Sequence, residues 1–177
     1  MSSSPSLSRC VLRATRALML TTGLVVSMAS VAAADGNRDQ AVQQAKAATA
    51  RFRSLEQAKK AGYLAPRPGD CVASPLGAMG YHFENHALMR DGILDVRRPE
   101  VLLYERTSDG KFKLTGVEYF IEADQTTSAP ILFGQTFDGP MGGHHPGMEE
   151  HYDLHAWLWK DNPRGTFAQW NPTVSCP

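Results

Sequence analysis

No apolar run in this chain is long enough to cross a bilayer comfortably: Ala17–Ala29 (ALMLTTGLVVSMA) is short and broken by Thr and Ser. Charge of one sign is lacking too, since 18 basic residues face 18 acidic ones. That balance argues against nucleic acid or an anionic membrane as a partner. Cysteine is scarce at three residues. None ends the apolar stretch, where lipid anchoring would require it, because Cys10 precedes that stretch. Asn171-Pro172-Thr173 is no glycosylation acceptor, its middle position being proline. There is no internal repeat, and no G-x-S-x-G, H-E-x-x-H or S-x-x-K motif stands in a catalytic context. No familiar nucleophile names a reaction.

What is present begins with an export signal. Arg9, Arg13 and Arg16 form a basic n-region, Ala17–Ala29 the apolar centre, and Ala32-Ala33-Ala34 an A-x-A cleavage pattern. Cleavage after Ala34 is expected, making residues 1–34 a signal peptide without a stable membrane anchor and residues 35–177 a single globular domain. The destination is the periplasm or the medium. The removed segment carries three arginines, one cysteine and no acid, so 15 basic residues remain against 18 acidic ones, a net charge of −3. Cys71 and Cys176 are then the remaining cysteines, and in an oxidising compartment a disulfide is expected ahead of a pair of thiolate ligands. Such a bond closes a loop of roughly 100 residues, worth about 4–5 kcal/mol on the chain-entropy model.

The periodicity from Arg38 to Arg53, with Ala41, Val42, Ala45, Ala48 and Phe52 on one face, predicts an amphipathic helix. Ser54-Leu55-Glu56-Gln57 has capping-box form and Gly62 closes a basic turn, predicting a short second helix over 55–61. The Pro/Gly-rich segment 65–80 reads as a loop pinned by Cys71. Val101–Arg106 and Lys111–Ile121 flank Thr107-Ser108-Asp109-Gly110, a hairpin signal. Ile131–Phe137 and Tyr152–Trp159 read as further strands, with a loop over 138–150. The expected fold is α+β: two N-terminal helices packed on a mainly antiparallel sheet of four or more strands, with one disulfide.

The six histidines fall in two clusters, His82 with His86, and His144, His145, His151 and His155. Neutral imidazole is the commonest metal ligand, so clustering points to a divalent transition metal: zinc, copper or iron. His82 and His86 stand four apart, at chelating distance if helical; in a loop, His82 would instead pair with a carbonyl. The glycine-rich loop bearing His144, His145 and Met148 offers imidazoles and a thioether, a set favouring copper if sulfur joins and zinc or iron otherwise. If Tyr152–Trp159 is extended, His151, Asp153, His155, Trp157 and Trp159 share a face. Residues 151 and 155 would lie roughly 13 Å apart, too far to share one ion easily, although either can join a ligand from elsewhere. Alternation along 111–121 places Glu118 with Phe112, Leu114 and Phe120, a buried carboxylate requiring a partner, unless a bulge at Gly116 returns it to solvent. Candidate ligands are therefore His82, His155 and Glu118, then His86, His144, His145 and Met148. Met79, Met89 and Met141 read as core filler.

Gly77-Ala78-Met79-Gly80-Tyr81-His82, Arg98-Pro99-Glu100-Val101-Leu102-Leu103-Tyr104-Glu105, Gly116-Val117-Glu118-Tyr119 and Tyr152-Asp153-Leu154-His155-Ala156-Trp157-Leu158-Trp159 together resemble a family of small secreted bacterial proteins of unassigned activity. The Asn162-Pro163, Asn171-Pro172 and Cys176 tail extends that resemblance. It implies one compact exported domain and no particular reaction. Three functions are open on the sequence: an exported protein with a histidine-based metal site, a metal-free binding domain whose pocket is lined by Trp157, Trp159, Trp170, Tyr81 and Tyr119, and a metal-dependent hydrolase.

Overall fold

A computed structural model describes residues 25–65, 71–144 and 146–177, with only the backbone for residues 25–35. The expected signal peptide lies outside the described residues except for 25–34, which form the start of the first helix. That helix, α1, runs Val25–Thr49 and tightens into a 3₁₀ turn over Ala50–Arg53. It starts well before the expected Arg38 and ends earlier as an α-helix, since alanine-rich sequence on the N-terminal side sustains the helix. The short helix α2 spans Leu55–Lys60. Its expected capping box is not formed, because Ser54 makes no side-chain bond at the helix start. The other end closes as expected: Gly62 has φ of 95° and donates to Lys59 O, while Tyr63 N donates to Ala58 O.

The strands are β1 Val72–Ser74, β2 Gly77–Glu84, β3 Val101–Arg106, β4 Phe112–Glu122, β5 Ile131–Leu132, β6 Gln135–Thr136, β7 Asp138–Met141 and β8 His151–Ala156, with a one-turn helix α3 at His86–Met89. Six of them form one antiparallel sheet in the order β1-β2-β3-β4-β8-β7, and β5 and β6 form a separate small hairpin. The 107–110 turn joins β3 to β4, with Thr107 N donating to Lys111 O at 2.8 Å.

Four strand expectations need correction. The segment 65–80 holds β1 and the start of β2 as well as loop, since Gly77 and Gly80 permit close backbone approach there. The strand expected over 131–137 is instead a tight hairpin, turning where Phe133 and Gly134 both take positive φ. The expected loop 138–150 begins as β7, an edge strand, where Pro140 need not donate to a further neighbour. Finally β8 stops at Ala156: Trp157 donates its backbone N–H to Thr166 and Trp159 to Thr115, so Trp157 and Trp159 are not on one continued strand face.

The two sheet faces differ in character. One buries Tyr81, Phe83, Leu102, Tyr104, Val117, Tyr119, Leu154 and Ala156 against Ala45, Phe52 and Ala58 of the helical layer. Tyr104 Oη donates to Phe52 O and Trp159 Nε1 to Thr49 Oγ1, pinning that layer. The opposite face buries Ala78, Val101, Leu103 and Trp157 beneath Val174 and Cys176 of the C-terminal tail. Asn171 exchanges backbone hydrogen bonds with Ala78, and Cys71 is bonded to Cys176 with Cα atoms 5.5 Å apart. The buried polar side chains described next lie on this second face.

Candidate metal centre

Strand alternation and one bulge build the site. Between β3 and β4 the register shifts: Leu103 faces Gly116, but Tyr104 faces Leu114, leaving Thr115 as an extra residue whose hydroxyl donates to Leu103 O at 3.0 Å. Leu114 therefore packs on the helical side while Glu118 turns to the other face, separating two residues that unbroken alternation would have kept together. The bulge does not return Glu118 to solvent, because the second face is also covered and Glu118 is buried.

On that face Glu118 of β4 lies directly opposite His155 of β8, and His82 of β2 reaches across the intervening β3. Glu118 Oε2 is 3.2 Å from His82 Nε2 and 3.8 Å from His155 Nε2. One donor atom from each of the three residues falls within 4.8 Å of both others. The 3.2 Å approach is not aligned as a hydrogen bond, and Glu118 Oε2 has no hydrogen-bond partner. Neither ring nitrogen of His155 has one. Leaving such buried groups unmatched costs about 1–3 kcal/mol each, and a cation among lone pairs relieves it. His82 stands at the rim with 17% of its side chain exposed.

The second set grows from the same strand. Alternate residues of β8, His151, Asp153 and His155, line one face, and His144 approaches from the loop, its ring 5.0 Å from that of His151. One donor atom from each of His144, His151 and Asp153 again lies within 4.8 Å of the others. Asp153 joins the two sets: its Oδ1 is 3.7 Å from His155 Nδ1 and its Oδ2 is 3.9 Å from His151 Nε2.

Electrostatics divides the acids. Burial alone would push Glu118 up, but His155, His82 and His151 outweigh it and hold the carboxyl below its ordinary value. Asp153 moves the other way, raised by burial and by the negative charges of Glu118 and Asp138. Burial lowers His155 to about 4, with the Glu118 carboxylate opposing the shift. His82 is raised: burial opposes the charge, but contact with the Glu118 carboxylate outweighs it.

The other candidates fall outside the first set. His86 begins α3 rather than sharing a helix with His82, is 51% exposed, and places Nε2 3.2 Å from Glu84 Oε2. His144 belongs to the second set. His145 lies outside the described residues. Met148 belongs to neither set, and its sulfur accepts the His144 N–H at 3.4 Å. Met79 and Met89 are buried, apolar residues of the interior. Asp153 was not among the sequence candidates, and His151, though one of the clustered histidines, was not ranked as a ligand; alternation put both on the right face, and the 13 Å estimate spoke only against His151 and His155 sharing one ion. The aromatic residues are divided: Tyr81 and Tyr119 pack on the helical side, while Trp157 lies beneath the tail. Two surface clefts, of about 520 and 880 Å³, contain none of the candidate ligands. No family model, curated protein or solved structure matches this chain.

Proposed function

We propose that this is an exported protein that binds a divalent transition metal through His82, Glu118 and His155. The observation that carries the reading is convergence: two imidazoles and a carboxylate, drawn from three strands, come within 4.8 Å of one another, and the central carboxylate oxygen has no hydrogen-bond partner. A His₂Glu set without sulfur favours zinc, with iron next. Export is supported by the basic and apolar N-terminal pattern and by the Cys71–Cys176 disulfide.

Three protein ligands leave a tetrahedral position open, and a metal held there supplies Lewis acidity or an activated water for hydrolysis. The partly exposed His82 marks the side from which a small molecule would reach it. Elemental analysis of protein purified from the exported fraction tests the binding reading. The wild type is expected to carry metal, and the His82→Ala, His155→Ala double variant to lose it from this position. Equal metal content in the two proteins overturns the proposal.

A further inference from the structure

We infer that the chain holds a second metal ion, bound by His144, His151 and Asp153, so that the centre is a two-metal site joined through the Asp153 carboxylate. This extends the reading above but stands on different residues. His151 Nδ1 lies 3.0 Å from the Glu149 carbonyl. A carbonyl can only accept, so Nδ1 carries the proton, and in the neutral ring Nε2 is left as a lone pair. That lone pair is buried, has no hydrogen-bond partner, and faces Asp153 Oδ2 at 3.9 Å. Both Asp153 oxygens are likewise buried and without hydrogen bonds. Two acceptors facing one another in a fully covered site need a positive centre between them, and His144 completes a three-donor set.

The two halves of Asp153 then have separate tasks. Oδ2 faces His151 and the second ion, while Oδ1 faces Nδ1 of His155, whose Nε2 looks toward Glu118. At 3.7 Å this contact is no hydrogen bond, but it sets Asp153 on the side of the far nitrogen of a ligating imidazole, the position from which a carboxylate orients such a ring. The donors are nitrogen and oxygen throughout, so the second ion is of the same class as the first, a zinc-like divalent cation. Its loop ligand also gives the segment after β7 a reason to close over the sheet face: His144 is exposed, whereas His151 and Asp153 are not.

The test is a count of zinc ions. The full chain, stripped with a chelator and titrated with zinc chloride, is read by calorimetry and native mass spectrometry. Two equivalents are expected. His151→Ala and His82→Ala should each leave one, from opposite halves. His144→Ala changes an exposed side chain and keeps the buried donors, so near-ultraviolet circular dichroism should be unchanged. It should weaken the second equivalent at least ~100-fold, the upper range for merely disturbing a ligand's support. One equivalent in the wild type, lost in His82→Ala and unaffected by His144→Ala and His151→Ala, overturns the second ion and leaves the first. In that case a proton, not a metal, sits between His151 and Asp153. One equivalent lost only in His144→Ala and His151→Ala would overturn the His82 site instead, and no binding at all overturns both.

Discussion

Glu100 shows how one buried acid outside the metal centre sets a pH response. It precedes β3, accepts the Phe120 N–H at 3.1 Å, and is pushed up to about 8, chiefly by burial. Between its ordinary value of 4.5 and about 8 the folded chain keeps a proton that the unfolded chain has released. Stability from this group is therefore complete below the lower value and declines as pH rises through the window. At about 1.4 kcal/mol per unit, the loss is on the order of 3–5 kcal/mol. Glu100→Gln keeps the shape and the acceptor but cannot ionise. Urea unfolding at pH 5 and pH 8.5 should show the variant losing less stability than the wild type between the two. An identical pH dependence in the two proteins would mean that Glu100 is already ionised in the fold. Glu100 gives no sign of this in the sequence, where it is one acid among 18.

Among the elements, β2 depends on a glycine at a close crossing. A Cβ at Gly80 would lie 2.3 Å from the Tyr104 carbonyl oxygen, and the residue has φ of 89°. Gly80→Ala should therefore cost more than about 2 kcal/mol, against about 1 kcal/mol or less for an ordinary exposed substitution. Thermal unfolding beside Gly134→Ala, whose Cβ meets nothing within 4 Å, separates crowding from positive φ alone, since Gly134 has φ of 68°. The same strand marks what the sequence could say. Its glycines read as loop, because local propensity carries no information about the β3 carbonyl that a side chain would strike. β4 was legible as a strand, yet the face of Glu118 was not, since one extra residue at Thr115 reverses parity and the register arises only from pairing with β3. The β3–β4 hairpin needed no such help, because its turn chemistry is local. His82, Glu118 and His155 could be picked out by residue type and alternation. Asp153 could not, because its importance lies in touching two histidines at once.

For the whole molecule, the disulfide ties the C-terminal tail to the start of the sheet across 105 residues of sequence. Cys71→Ser with Cys176→Ser should lower stability by about 2–5 kcal/mol in urea unfolding. A change within error would show that tail packing through Val174 and Asn171 suffices to hold the fold. The pairing was legible once Cys10 was assigned to the signal segment. The tail's hold on the second sheet face was not, because no periodic pattern announces it. The bond also encloses every candidate ligand in one covalent ring, and the exposed loop residues Gly142–His144 and Pro146–Gly147 lie within that ring. A protease that nicked this loop would create two polypeptides shackled by sulfur, one bringing His82 and Glu118, the other His151, Asp153 and His155. The centre would then be a seam shared by two chains, and reduction would leave noncovalent contacts, the β4–β8 pairing and the packing of the tail among them, to hold it together.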